Sequence, residues 1–263
     1  MDELRQLLGH TLVLVAHPDD EVIGCGALLD RMRSSTVVFA TDGAPRDIFF
    51  WQAYGSRQAY AEIRRKEALQ VAELASVSRV KFLSDSHDNM FVDQELFRNL
   101  AAAIDELRAI VQDTQPGCLL TLAYEGGHPD HDCCSFMTSV LAYEFRLPAW
   151  EMPLYHRAPD LETRRQQFMA ERGHEFVYNL TAPEQAKKQS LLDLYRSQHA
   201  VLQDFKISEE RFRLLPVYDY SHPPHPAPLN YEMWGWPVNG REVSTAFCRY
   251  LEQSRNRKQA RVS

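Results

Sequence analysis

Thr11-Leu12-Val13-Leu14-Val15-Ala16-His17-Pro18-Asp19-Asp20-Glu21-Val22-Ile23-Gly24-Cys25-Gly26 is the stretch on which the reading of this chain turns. Its β-branched and aliphatic start predicts a buried strand, and the residues from Val22 to Met32 predict a helix. The turn between them crowds His17 against Asp19, Asp20 and Glu21. Open α/β sheets place their chemistry at such turns. Adjacent acids at a buried strand end repel one another and are accommodated most easily around a cation. His17 and Asp20 stand i, i+3 across Pro18, whose fixed φ turns the chain so that both side chains can face one point. An imidazole nitrogen and a carboxylate oxygen suit Zn²⁺, and iron or manganese would also accept them. The competing reading is an acidic helix N-terminus favoured by the helix dipole.

Outward from there the pattern alternates strand and helix. Thr36–Ala40 is a second strand, ending in Thr41-Asp42-Gly43; Val80–Leu83 is a third, followed by the polar Ser84 to Asn89. Between them runs a helix over Arg57–Ala75 with Tyr60, Ile63, Glu67, Val71 and Leu74 on one stripe. Glu67 in that stripe demands a partner, and Arg64 is close enough to supply one. Such a pair could hold the guanidinium towards a substrate oxygen, or be an ion pair at the helix edge. Asp93 reads as the cap of a periodic helix carrying Leu96, Leu100, Ile104, Leu107 and Val111.

Cys118–Ala123 is a fourth strand, and it leads into Tyr124-Glu125-Gly126-Gly127-His128-Pro129-Asp130-His131-Asp132, a second His-Pro-Asp at a second strand end. A parallel sheet brings both turns to its carboxyl edge. His131 then completes a His17–Asp20–His131 set, and three protein ligands leave an open position, the mark of a catalytic metal site. Hydrolysis by an activated water is the chemistry this suggests. Asp19 is the natural general base; His128 is placed to stabilise the oxyanion or protonate the leaving amine. Asp130 is placed to hydrogen-bond a ring nitrogen of His128 and raise its pKa. Helix capping and support is the competing reading for both.

With 263 residues the chain forms most simply one domain, a catalytic core over 1–150 and a C-terminal elaboration over 151–263 packed on it. A net charge of -7 argues against nucleic acid as partner. Five cysteines without a CxxC pair fit neither a disulfide framework nor a zinc knuckle. Met1–His10 lacks the build of a signal peptide, and no apolar run approaches the ~18 residues of a membrane span. A cytoplasmic enzyme is expected, with self-association left open. Gly24-Cys25-Gly26 is no dinucleotide loop, because acids occupy the place where a pyrophosphate would meet bare amides. No GxSxG is present, and Cys133-Cys134 at a helix start reads as packing.

In the C-terminal part, Glu175–Leu180 reads as a strand, Ala186–Val201 as a helix after Pro183, and Gln253–Ser263 as a fraying end. His222 and His225 could reach a metal or a substrate but sit in a loop pattern typical of solvated histidines. Two aromatic segments stand out, Phe49 to Tyr54 and Tyr218 to Trp236. The first is a lid, a wall, or a packing surface; the second is a packed loop beside the site.

Taken together, Ala16-His17-Pro18-Asp19-Asp20-Glu21, Thr41-Asp42-Gly43, Arg64-Arg65-Lys66-Glu67 and His128-Pro129-Asp130-His131 resemble the PIG-L/LmbE family of zinc-dependent N-acetylglucosaminyl deacetylases, over about the first 145 residues. The resemblance implies a Rossmann-like α/β fold, a mostly parallel sheet with helices on both faces. It also implies zinc (Fe²⁺ as the other candidate) on His17, Asp20 and His131, Asp19 as base, and His128 as electrostatic or acid partner. Arg64 matches a substrate-binding arginine of similar enzymes, and Asp88 a sugar-contacting acid. Some relatives have a tyrosine just before the His-Pro-Asp-His motif; here Gly126-Gly127 stand there, so Tyr124 fills that role only if the loop bends back. The implied reaction removes an N-acyl group, acetyl first, from an amino-sugar conjugate, and the aromatic segments suggest a bulky or apolar aglycone. The alternatives are an amidase on a non-sugar or thiol-conjugate amide, and a sugar-binding protein without turnover. Asp19 and His128 argue against the last, since binding alone needs neither.

Overall fold

The computed structural model describes residues 2–85, 90–226 and 228–260. After a short helix α1 (Asp2–Leu7) come β1 (His10–Val15), α2 (Asp20–Leu29), β2 (Ser34–Phe39), α3 (Arg57–Leu74), β3 (Arg79–Phe82), α4 (Leu100–Thr114), β4 (Cys118–Leu122), α5 (Pro129–Phe145) and β5 (Ala149–Met152). These five strands form a parallel sheet in the order β3-β2-β1-β4-β5. Central strands covered on both faces need unbroken apolar runs. Leu12 to Val15 and Cys118 to Leu122 provide them and are almost fully buried.

The chain then turns back. A hairpin of β6 (Tyr155–Arg157) and β7 (Thr163–Arg165) stands apart from the sheet. Next come β8 (Glu175–Asn179), α6 (Ala182–Leu192), α7 (His199–Leu202), β9 (Glu209–Leu214), α8 (Asn230–Met233) and α9 (Gly240–Ala260). β9 and β8 extend the sheet beyond β5 in antiparallel register, giving seven strands with helices packed around them. Among the described residues no helix is long and apolar enough to cross a membrane.

Several expectations are corrected. α4 begins at Leu100 after a 3₁₀ turn over Leu96–Asn99, and Asp93 lies upstream of both, in a loop. α6 ends at Leu192; a 3₁₀ turn over Arg196–Gln198 and α7 replace a continuous helix to Val201. α9 stays helical to Ala260, past the expected fraying point. On α3 the buried stripe carries Arg64 beside Tyr60, Glu67 and Val71, while Leu74 is exposed.

α2 is interrupted where its glycines lie. Cys25 has non-helical dihedrals (φ -146°, ψ 25°), and a Cβ on Gly24 would stand 2.3 Å from Met152 Sδ of β5. The break frees the Ile23 carbonyl and the Ala27 N–H, which an intact helix would bond to each other. A fully buried ion pair from the C-terminal part fills the gap. Lys188 Nζ donates to the Ile23 carbonyl at 2.9 Å and to Glu210 Oε1 at 2.9 Å, and Glu210 Oε1 accepts the Ala27 N–H at 2.8 Å.

Candidate metal centre and cavity

Order reverses between β1 and β4, and the crevice at their carboxyl ends is where a doubly wound sheet binds ligands. Both His-Pro-Asp motifs open there. Asp20 joins the two: its Oδ2 accepts the His17 backbone N–H at 2.8 Å and lies 3.5 Å from His17 Nδ1, and its Oδ1 lies 3.3 Å from His131 Nε2. Ring nitrogens of His17, His128 and His131 fall within 4.8 Å of one another. The same spacing links His17, Asp93, His128 and Asp130.

Asp93, which the sequence presented as a helix cap, therefore belongs to the centre. Its Oδ1 is 3.2 Å from His17 Nε2 and 3.3 Å from His128 Nε2. Asp42 of the Thr41-Asp42-Gly43 segment holds it there, accepting the Asp93 N–H at 3.3 Å while pairing with Arg57. Only a pattern distinguishing a capping acid from a loop acid could have revealed Asp93, and one aspartate before an apolar stretch carries none.

Charge in this cluster is lopsided. Burial opposes protonation of His17, yet Asp93, Asp130 and Asp20 around it outweigh burial and hold its pKa well above the ordinary value. Burial opposes ionisation of Asp93, but His17 and His128 reverse that and keep it ionised. Both nitrogens of His131 and one oxygen of Asp93 are buried without a hydrogen-bond partner. Unpartnered imidazole nitrogens among excess carboxylates are what a bound divalent cation would satisfy. The donors present fit such an ion.

Asp19 lies at the turn with φ 127°, left-handed backbone that an aspartate adopts only when its surroundings fix it. Arg64 fixes it, donating from Nη2 to Asp19 Oδ2 at 2.9 Å and to the Pro18 carbonyl at 2.6 Å, and from Nη1 to the Gly43 carbonyl at 2.6 Å. Burial raises the Asp19 pKa to about 7, with Arg64 pulling it down. Glu67 is partnered by Ser197, through its N–H at 2.9 Å and its hydroxyl at 2.6 Å, and not by Arg64.

His128 begins α5. Its Nδ1 accepts the Asp130 N–H at 3.1 Å, which leaves the proton of a neutral ring on Nε2, facing Asp93. Burial and the neighbouring His17 lower its pKa. The expected Asp130–His128 contact is replaced: Asp130 Oδ2 is 3.9 Å from His128 Nδ1, and its carboxylate accepts the Gln94 N–H at 2.7 Å and the Leu96 N–H at 3.1 Å. Asp130 thus anchors the loop that carries Asp93.

A cavity of about 520 Å³ rises from the cluster, with His17, Asp19, Asp20, Arg64, Asp93 and His128 at its floor. Tyr124 is not among its walls. Its hydroxyl donates to the His222 carbonyl at 2.7 Å, and its ring packs against Tyr218 and Tyr220. Tyr155 of β6 stands by His131 instead, ring centroids 5.2 Å apart, and no sequence signal marks it. A Cβ on Gly127 would lie 2.0 Å from the Tyr155 carbonyl oxygen, so this close approach requires glycine. Of the aromatic segments, Phe50, Trp234 and Trp236 line the cavity, while Tyr54 stacks on Tyr60 and Tyr218 bonds Glu151. His222 is exposed beside Asp219, and neither His222 nor His225 lines the cavity. Asp88 lies outside the described residues.

The family model PIG-L, described as GlcNAc-PI de-N-acetylase, matches residues 12–142. A curated relative from Bacillus cereus, a probable N-acetyl-alpha-D-glucosaminyl L-malate deacetylase, is 28% identical over 202 residues, covering 74% of this chain and 86% of its own. Among solved structures, a deacetylase of the teicoplanin biosynthesis pathway superposes with a TM-score of 0.58 at 16% identity, covering 77% of this chain and 96% of its own. The N,N'-diacetylchitobiose deacetylase of Pyrococcus horikoshii gives 0.51 at 21% identity, covering 78% and 83%. At these identities the two structures speak for the fold.

Proposed function

Because this chain belongs to the PIG-L family through residues 12–142, we propose that it is a metal-dependent hydrolase removing an N-acyl group, acetyl first, from an amino-sugar conjugate of the N-acetylglucosamine type. The observation that carries this reading is His131, buried beneath the cavity with neither ring nitrogen in a hydrogen bond and with Nε2 3.3 Å from Asp20, which lines the cavity floor. The deacetylase name of the Bacillus cereus relative supports it.

His17, Asp20 and His131 would hold the ion, with Asp93 beside them. Two imidazoles and a carboxylate favour Zn²⁺ and also accept Fe²⁺. When bound, the ion supplies a Lewis acid that makes water nucleophilic near neutrality and polarises the acyl carbonyl.

Asp19 takes the proton of the attacking water. Its carboxylate is fixed by Arg64, and a pKa near 7 suits a group that accepts a proton and passes it to the departing amine. His128, kept neutral and with Nδ1 engaged, offers its Nε2–H to the acyl oxygen as negative charge gathers there. Arg64 acts through Asp19: its Nη donors are taken by Asp19 and two carbonyls, and its Nε–H is buried without a partner.

Free-amine release from a panel of N-acetylglucosamine conjugates, using zinc-loaded protein, tests the proposal. Release is expected, and Asp19→Asn should lower kcat by roughly 10²–10⁴-fold. Silence across the panel with the ion bound would move the reaction to a non-sugar amide.

A further inference from the structure

The upper cavity has its own chemistry. From the histidines outward, rings follow one another without a gap: His128 to Trp236 at 4.9 Å between centroids, Trp236 to Trp234 at 5.1 Å, Trp234 to Tyr155 at 5.9 Å, and Tyr155 to Phe205 at 6.3 Å. Phe50 closes the other side, 6.3 Å from Trp236, and Val201 stands at the mouth. Two of these apolar groups remain in water, Val201 at 58% exposure and Trp234 at 46%. Phe49, at 71%, continues the same surface into the adjoining groove. Contiguous exposed apolar surface of this kind marks a place where a ligand or partner sits.

The charges point the same way. Among the described residues that line the cavity, the only arginines or lysines are Arg64 and Arg165, while the histidines His17 and His128 lie at its floor. Arg64 is committed to Asp19 and two backbone carbonyls. Arg165 donates to Asp204 Oδ2 at 2.6 Å, leaving the rim neutral. A dicarboxylate aglycone such as malate would meet no unpaired cation and would lie among apolar rings, where an unpaired carboxylate is costly.

We propose, resting on the deacetylase reading of the floor, that the group attached to the sugar is uncharged and apolar, an aryl or alkyl aglycone stacked on Trp234, Trp236 and Tyr155. This chain would thereby differ in substrate from the relative whose name specifies malate. Tyr155 and Trp236 touch both the histidines and the outer rings, so the aglycone and the acyl group are aligned along one wall.

Calorimetric binding of phenyl, hexyl and malyl glucosides to the zinc-loaded protein tests this without turnover, since these probes lack the N-acyl group. Phenyl and hexyl glucosides should bind at least about ten-fold more tightly than malyl glucoside. Trp234→Ala should remove most of that preference, and Val201→Arg, at an exposed position, should shift it towards the malyl probe. Equal binding of all three, or tighter binding of malyl glucoside, overturns the inference. If the preference holds while the matching N-acetylglucosaminides release no amine, the aglycone site stands and the deacetylase reading falls.

Discussion

At the scale of single residues, the proposed base Asp19 and its partner Arg64 set how the proposed reaction should depend on pH. Asp19 must be ionised to accept a proton, and burial raises its pKa to about 7 against the pull of Arg64. kcat/KM should therefore rise with pH up to about 7, a bound cation moving that limb lower. Arg64→Gln removes a charge that favours the carboxylate, so its acid limb should shift to higher pH; an unshifted limb would leave Arg64 with packing alone. Asp93→Asn should cost about 10–100-fold in metal affinity or activity, read by competition with a chelator and by amine release. His17, Asp20 and His131 were legible because they crowd into two short motifs at strand ends. Asp93 was not, because its place is set by Asp42 and by Asp130, which hold its loop from different parts of the chain.

At the scale of elements, helix α2 depends on residues far along the chain. Replacing an ordinary buried ion pair by apolar groups is often neutral, whereas removing one partner costs about 3–5 kcal/mol. Lys188→Met should lose about that much in denaturant unfolding. The double variant Lys188→Met/Glu210→Leu should not regain it, because the Ala27 N–H would stay buried without a partner and the Ile23 carbonyl would keep only the long contact from Gln166 Nε2 at 3.5 Å. Gly127→Ala, pressed against the Tyr155 carbonyl, should destabilise by about 1–3 kcal/mol and weaken substrate binding by displacing Tyr155. Four of the five parallel strands were readable from their apolar runs; the fifth, Ala149–Met152, was not, because it lies between Pro148 and Pro153 in a segment that reads as a turn-rich boundary. The break in α2 was not: Gly24 and Gly26 announced close packing, but nothing near them in sequence names Lys188 and Glu210 as the groups that complete the helix.

At the scale of the whole molecule, the seven-strand sheet draws on both parts of the chain, with β9 paired to β5 and β8 to β9. The first four strands could be read from alternation; β5 and the antiparallel extension could not, since short strands such as Ala149–Met152 and Glu209–Leu214 carry little that fixes their partner. A chain ending after Met152 should fail to unfold cooperatively in a thermal melt, having lost the β9 edge and the α2 ion pair together. Stripping the ion from the intact protein should lower its melting temperature by about 10 °C, if the ion is held at roughly a thousand times its Kd. The ion pair within α2 also imposes a timetable on synthesis. His17 and Asp20 leave the ribosome early, but the helix that Asp20 begins cannot be closed until Lys188 and Glu210 have emerged. The nascent chain must therefore carry an incomplete turn at His17–Asp20 until both partners have been translated, so residues far downstream decide when that turn takes its final form.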